Sequence, residues 1–154
     1  MSGYGHVVHI FLAPGQNECF DTSYTVCSSN FFCAYHSSAQ ADIGEVVYTV
    51  EPYLSNVFGC NQPAGSPNGP LDAQYSTLSH ETFETFTDPD GSSWWNASNQ
   101  PLLGNEIGDE CSFLDFDSNG FFVSFGAPVV GLNGRRYQIQ SEYNNSSHNC
   151  TTRP

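Results

Sequence analysis

LDAQYSTLSHETFETFTDPD, residues 71–90, decides how the rest of this chain is read. An α-helix turns about 100° per residue. A helix over 71–87 therefore puts Leu71, Tyr75, Leu78, Thr82 and Phe86 on one face. His80 and Glu84 fall one turn apart on the opposite side, inside the H-E-x-x-E string His80-Glu81-Thr82-Phe83-Glu84. Side chains at i and i+4 point the same way, so one divalent ion can touch both. In the related H-E-x-x-H pattern the intervening glutamate is the base that deprotonates the attacking water, and Glu81 holds that position here. Glu84 offers a harder oxygen ligand that zinc accepts. Asp88-Pro89-Asp90-Gly91 stops the helix, since proline cannot continue it and glycine permits the turn. The ordinary alternative is a polar helix face turned to solvent.

A tetrahedral zinc with an open position needs three protein ligands, and the helix supplies two. The acidic stretch Gly104-Asn105-Glu106-Ile107-Gly108-Asp109-Glu110-Cys111 offers Glu106 and Asp109 as the missing ligand or as groups supporting it. His36 and Asp88 come next, as partners behind the ligands; for His36 the plain alternative is a hydrogen-bonded histidine at a strand end. A separate string, Asp115-Phe116-Asp117-Ser118-Asn119-Gly120, opens like a calcium loop. Its twelfth position is Gly126 where a bidentate glutamate belongs, so an EF-hand is excluded. A looser Ca²⁺ site at Asp115, Asp117 and Asn119 stands against a simple turn between strands.

The chain has 154 residues, enough for one domain with a core. It carries no lysine and only Arg135, Arg136 and Arg153, for a net charge of −13. Such a surface repels nucleic acid and anionic lipid and suits divalent cations. Aromatic residues at 14% set it apart from a disordered acidic tail. Cys19, Cys27, Cys33, Cys60, Cys111 and Cys150 contain no C-x-x-C pair, so disulfides in an oxidising, extracellular compartment are expected. Cys111–Cys150 is the preferred pair; Cys19, Cys27 and Cys33 compete for Cys60 and for one another. Asn96, Asn144, Asn145 and Asn149 sit in N-x-S/T sequons, glycosylation acceptors where the host modifies them. No apolar stretch approaches 18 residues, so no membrane span is expected. Met1-Ser2-Gly3 lacks a charged n-region, so an exported protein is read here as a mature form or the C-terminal portion of a longer precursor.

The remaining segments point to an α+β fold. Strands are expected near 7–12, 31–36 and 44–52, the last dense in β-branched residues. They should form a small mixed sheet packed on the one main helix. The Pro/Gly-rich connector over 60–70 leads into that helix, and a loop-rich region follows it. Trp94 and Trp95 lie just past the helix stop, as a small cluster under a loop or as the wall of a cleft. Phe121–Phe125 and Pro128–Gly131 read as sheet. Asn133-Gly134 favours a type I′ hairpin turn, with 136–143 as the returning strand and a polar tail behind it.

FCAYHSS (32–38), VVYTVEPY (46–53), LSHETFETFTDPD (78–90), Trp94-Trp95, NEIGDEC (105–111) and NGRRYQIQSEYNNSSHNC (133–150) together resemble a family of secreted bacterial proteins. The H-E-x-x-E-x-x-T-D-P string is the most specific part. Members look like zincin-type metallopeptidases. The resemblance implies a secreted zinc hydrolase acting on peptide or protein. The Cys33–His36 segment, the Asn133-Gly134-Arg135 turn and the final cysteine are more distantly similar to the plant EXORDIUM, or phosphate-induced, secreted proteins. Those relatives lack the H-E-x-x-E string, so the resemblance also implies that the fold can serve without that site.

Two functional readings follow. In one, His80 and Glu84 with a third carboxylate hold zinc, and Glu81 activates water for hydrolysis. In the other, the chain is a non-catalytic, disulfide-stapled extracellular module, in which a metal or calcium only stabilises and self-assembly is open.

Overall fold

In the computed structural model the described residues are 6–55, 57, 60, 66–96, 106–112 and 129–152. Strands β1 (Val7–Phe11), β2 (Tyr35–Ala41) and β3 (Gly44–Glu51) form one sheet in the order β1-β3-β2. β1 runs parallel to β3, with Val7 opposite Val47, and β2 runs antiparallel, with Tyr35 opposite Val50. The sheet is therefore small and mixed. The 17-residue helix α1 (Leu71–Thr87) packs across it, mainly on β3. A short turn of helix, α2 (Asp109–Ser112), follows. Strands β4 (Val129–Leu132) and β5 (Arg135–Gln138) make one hairpin, and β6 (Glu142–Asn144) and β7 (Asn149–Thr151) another.

The β4–β5 turn has Asn133 at φ 50° and Gly134 at φ 75°. Positive φ at both central positions is what a type I′ turn demands. The returning strand is shorter than the alternation over 136–143 suggests. It ends at Gln138, and residues 142–144 then pair with β7, inside what reads as a polar tail. β2 also departs from expectation: it begins at Tyr35, where a strand over 31–36 was to end. Phe32 is instead drawn into an aromatic cluster, 4.6 Å from the Phe20 ring and 5.6 Å from the Tyr35 ring. Cys33 is tied to Cys60. The expected strand at Phe121–Phe125 and the acidic string Asp115, Asp117, Asn119 lie outside the described residues.

Three disulfides close the molecule: Cys19–Cys27, Cys33–Cys60 and Cys111–Cys150. Such bonds are of the kind that persist in an oxidising compartment. Among the described residues no helix is long and apolar enough to cross a membrane.

α1 is inverted relative to an ordinary amphipathic helix. Its buried face is Asp72, Ala73, Ser76, Thr77, His80, Glu81, Glu84 and Thr85, while Leu71, Phe83 and Phe86 are exposed. The alternative of a solvated polar face is thereby overturned. Positions 72, 76, 80 and 84, one turn apart, form a stripe that docks the rest of the chain. Asp72 Oδ1 accepts the Gln138 N–H at 3.1 Å, and Ser76 Oγ accepts the Gln140 N–H at 2.9 Å. His80 meets the Gln140 side chain, and Glu84 Oε1 accepts the Gly108 N–H at 3.2 Å. Asp72 also fastens the helix start, taking N–H bonds from the backbone and side chain of Asn68. Apolar packing is modest by comparison: Leu54, Cys60 and Ala73 form the buried cluster, with Cys33 and Val57 against it. Besides Pro52 and Gly108, 13 of the buried described residues are polar and 7 apolar, and three of the seven are disulfide cysteines. Burying that many polar groups is tolerable because most of them find partners, so polar docking and cross-links carry much of what a hydrophobic core otherwise would.

Candidate metal centre

α1 delivers His80, Glu81 and Glu84 to one buried region, at 7%, 4% and 2% exposure. β2 brings His36 to the same place, the turn before α2 brings Glu106, and the first residue of α2 is Asp109. His80 Nε2 lies 3.1 Å from Glu84 Oε1 and 3.5 Å from Asp109 Oδ1. His36 Nδ1 lies 3.2 Å from Glu81 Oε2 and 3.5 Å from Glu84 Oε2. Two groups of potential ligands result, His80–Glu84–Asp109 and His36–Glu81–Glu84, each with its donor atoms within 4.8 Å of one another.

The other nitrogen of each imidazole is already committed. Gln140 donates through Nε2 to the Gly108 carbonyl, which orients its amide and leaves Oε1 as acceptor. That oxygen is 3.2 Å from His80 Nδ1, so Nδ1–H donates to it. On the opposite ring, His36 Nε2–H donates to the Asp88 carbonyl at 2.8 Å. In neutral form each ring therefore carries its lone pair on the nitrogen that faces the carboxylates. Three acceptors converging on one point are reconciled by a proton on the imidazole or by a cation between them. Metal-binding histidines are characteristically held this way, their outer N–H tied to a carbonyl or carboxylate. The residues present fit a divalent ion.

Asp109 joins His80 and Glu84. Glu106 does not; its Oε1 lies behind His36, 3.3 Å from Nε2. Asp88 acts through its backbone carbonyl, while its side chain accepts the Ser93 N–H at 2.7 Å. Trp94 stacks on Tyr143 at 6.2 Å, and Trp95 is 55% exposed. Of the sequon asparagines, Asn145 and Asn149 are exposed, Asn96 is half-buried, and half-buried Asn144 accepts two backbone N–H groups from Ser146 and Ser147.

Several groups escape the sequence motif. Gln140 is one. Glu142, on β6, has both carboxylate oxygens buried without a hydrogen-bond partner. Glu51 on β3 is fully buried, its oxygens beside Thr49 and Thr77 without a well-formed hydrogen bond. No signal in the sequence marks these two glutamates, which sit in ordinary alternating strand stretches.

The electrostatics follow from this crowding. Burial opposes a charged His36, yet Glu106, Glu81 and Glu84 outweigh it and hold the imidazole far above its usual range. His80 behaves alike: burial opposes its charge, and Glu84 foremost, then Glu81 and Asp109, raise it well above normal. Burial lifts Glu81 to about 7 against the pull of both histidines. Asp109 is raised to about 7 by burial and by Glu84, and Glu142 to about 8, chiefly by burial. Within this cluster Glu84 goes down, to about 2: burial works against it, but the two histidines win. Without a metal, these carboxylates favour the protonated form of both imidazoles.

Compared with known proteins, the chain matches no family model, no curated protein and no solved structure.

Proposed function

We propose that this protein is an extracellular, zinc-dependent hydrolase of zincin-like type acting on peptide or protein. The observation that carries the reading is His80, whose Nδ1 is pinned by Gln140 while Nε2 faces Glu84 and Asp109. His80, Glu84 and Asp109 would hold the ion. Bound there, zinc supplies Lewis-acid polarisation of a carbonyl and a lowered pKa for water. Glu81, buried beside these groups and raised to about 7, is suited to take the proton at working pH. His36 fixes its position from 3.2 Å. Glu106 and Asp109, each 17% exposed at the side chain, mark where solvent reaches the cluster.

A second reading is favoured by the small apolar core and three disulfides: the ion serves only stability, in a non-catalytic module. Elemental analysis of unchelated protein, beside His80→Ala, tests the metal. A peptide-cleavage screen of wild type and Glu81→Gln then separates the readings. Hydrolysis lost in Glu81→Gln, with a cation still held at His80, supports the enzyme. Full activity in Glu81→Gln would rule out this base, and bound zinc without cleavage of any peptide would leave the stabilising role.

A further inference from the structure

We propose that the centre takes two divalent cations, with Glu84 bridging them and His36 and Glu81 holding the second. This rests on the metal reading above and extends it. The geometry of Glu84 is the starting point. Its Oε1 faces His80 Nε2 at 3.1 Å, and its Oε2 faces His36 Nδ1 at 3.5 Å. Each oxygen thus belongs to a different histidine. A carboxylate that presents one oxygen to each of two ligand sets is the usual bridge of paired-ion sites, whose ions lie about 3.5–4 Å apart.

The His36 half repeats the logic of the His80 half by different means. One ring nitrogen is anchored to a carbonyl oxygen, here the backbone of Asp88 at the helix stop. The other faces two carboxylate oxygens, Glu81 Oε2 at 3.2 Å and Glu84 Oε2 at 3.5 Å. Glu106 Oε1 stands 3.3 Å behind the anchored nitrogen, where a carboxylate strengthens a histidine ligand. His36, Glu81 and Glu84 side chains are 7%, 6% and 3% exposed, so this is a built interior position.

Charge argues independently for a second ion. Glu51, Glu81, Glu84, Glu106, Asp109 and Glu142 crowd around two imidazoles. The chain has no lysine, and Arg135 and Arg136 are exposed on β5. Glu51 is completely buried with neither oxygen in a well-formed hydrogen bond, and Glu142 is buried without a hydrogen-bond partner on either oxygen. One divalent ion offsets two negative charges, so as these carboxylates ionise there is charge left for a second cation in the same place.

The second position engages the very carboxylate assigned as base. Glu81 can accept a proton from water only while that position is empty. The second ion is therefore inhibitory, and excess metal turns the site off.

The full disulfide-bonded chain, stripped and then dialysed against increasing Zn²⁺, provides the test by elemental analysis. Two ions per chain are expected for wild type, one binding more weakly. His36→Ala should retain one, at the affinity of the tighter wild-type ion. Loading wild type with Mn²⁺ gives a readout free of any folding defect: a bridged pair yields an exchange-coupled EPR spectrum in place of the six-line signal of isolated ions. Saturation at one ion in wild type, an uncoupled Mn²⁺ spectrum, or loss of all metal in His36→Ala overturns the two-ion centre while the single-ion hydrolase stands. No metal in wild type at any loading overturns both.

Discussion

Gly108 lies against His80: a methyl group on its Cα would come within 2.5 Å of Nδ1 and 2.8 Å of Cε1. The same residue donates its N–H to Glu84 Oε1 and its carbonyl accepts from Gln140. Its lack of a side chain lets the backbone of the α2 turn reach the ligand face of α1. Gly108→Ala should push the imidazole off its axis, weaken zinc binding about 10–100-fold, and cost about 1–3 kcal/mol by overpacking. Competition titration against a chelator and denaturant unfolding read the two effects.

Gln140 acts on the metal only through His80. Gln140→Leu removes the acceptor for Nδ1–H and leaves a buried donor unmet, at about 1–3 kcal/mol. Gln140→Glu keeps an acceptor there. Zinc affinity should fall further in the leucine variant than in the glutamate variant. Equal affinities in the two would show that Gln140 does not orient the ring.

The chelated protein should lose stability as pH rises from about 5 to 8. Glu142, raised to about 8, and Glu81 and Asp109, raised to about 7, keep their protons in the fold after the unfolded chain has released its own. His36 and His80, raised above the ordinary histidine value, keep theirs as well above pH 6.5. The folded state thus binds more protons throughout this window, and stability falls with pH. A drop in Tm on the order of 5 °C is expected. Glu84 has the opposite sense, but its contribution is lost only as pH falls below the unfolded carboxylate range towards 2. Zinc should reverse the trend, release protons on binding, and bind more tightly at pH 8 than at pH 5. Calorimetry in buffers of different ionisation enthalpy counts those protons.

The Cys111–Cys150 bond ties α2 to β7, beside the Tyr143 N–H bond to the Ile107 carbonyl at 3.0 Å. It spans a sequence separation of 39, for which chain entropy gives about 4 kcal/mol. Cys111→Ala/Cys150→Ala should lower Tm and weaken zinc binding by loosening Asp109, two residues from Cys111. Loss of stability without loss of affinity would show that the α1–Gly108 contacts alone hold Asp109.

The helix over 71–87, the strand over 44–52 and the Asn133-Gly134 hairpin turn were legible because each has a local cause: a four-residue recurrence with a proline stop, β-branched density, and two positive-φ positions. The Cys111–Cys150 pairing was legible too. Strand β2 was not, since Ser37, Ser38 and Gln40 carry no apolar alternation and its pairing comes from β3. Spacing placed His80 and Glu84 on one helix face, but the companions of that pair are set by tertiary docking. Asp109 and Glu106, three residues apart, end on different histidines. Glu142 and Gln140 lie in a stretch whose alternation looks like plain strand, and nothing in it signals that the strand breaks at Gln138 to turn both side chains towards α1.

The inward polar stripe of α1 reverses the usual map of which positions a chain can change. Phe86→Lys puts its charge at a position 71% exposed, whereas leucine at Ser76 or Asp72 removes the acceptor that sets the depth at which residues 138–140 sit. Hydrophobicity is then a misleading guide to constraint in this protein. Its descendants would be free to drift at their oily residues and held fast at their small polar ones, and a search for kin should weight Asp72, Ser76, His80 and Glu84 as others weight a core.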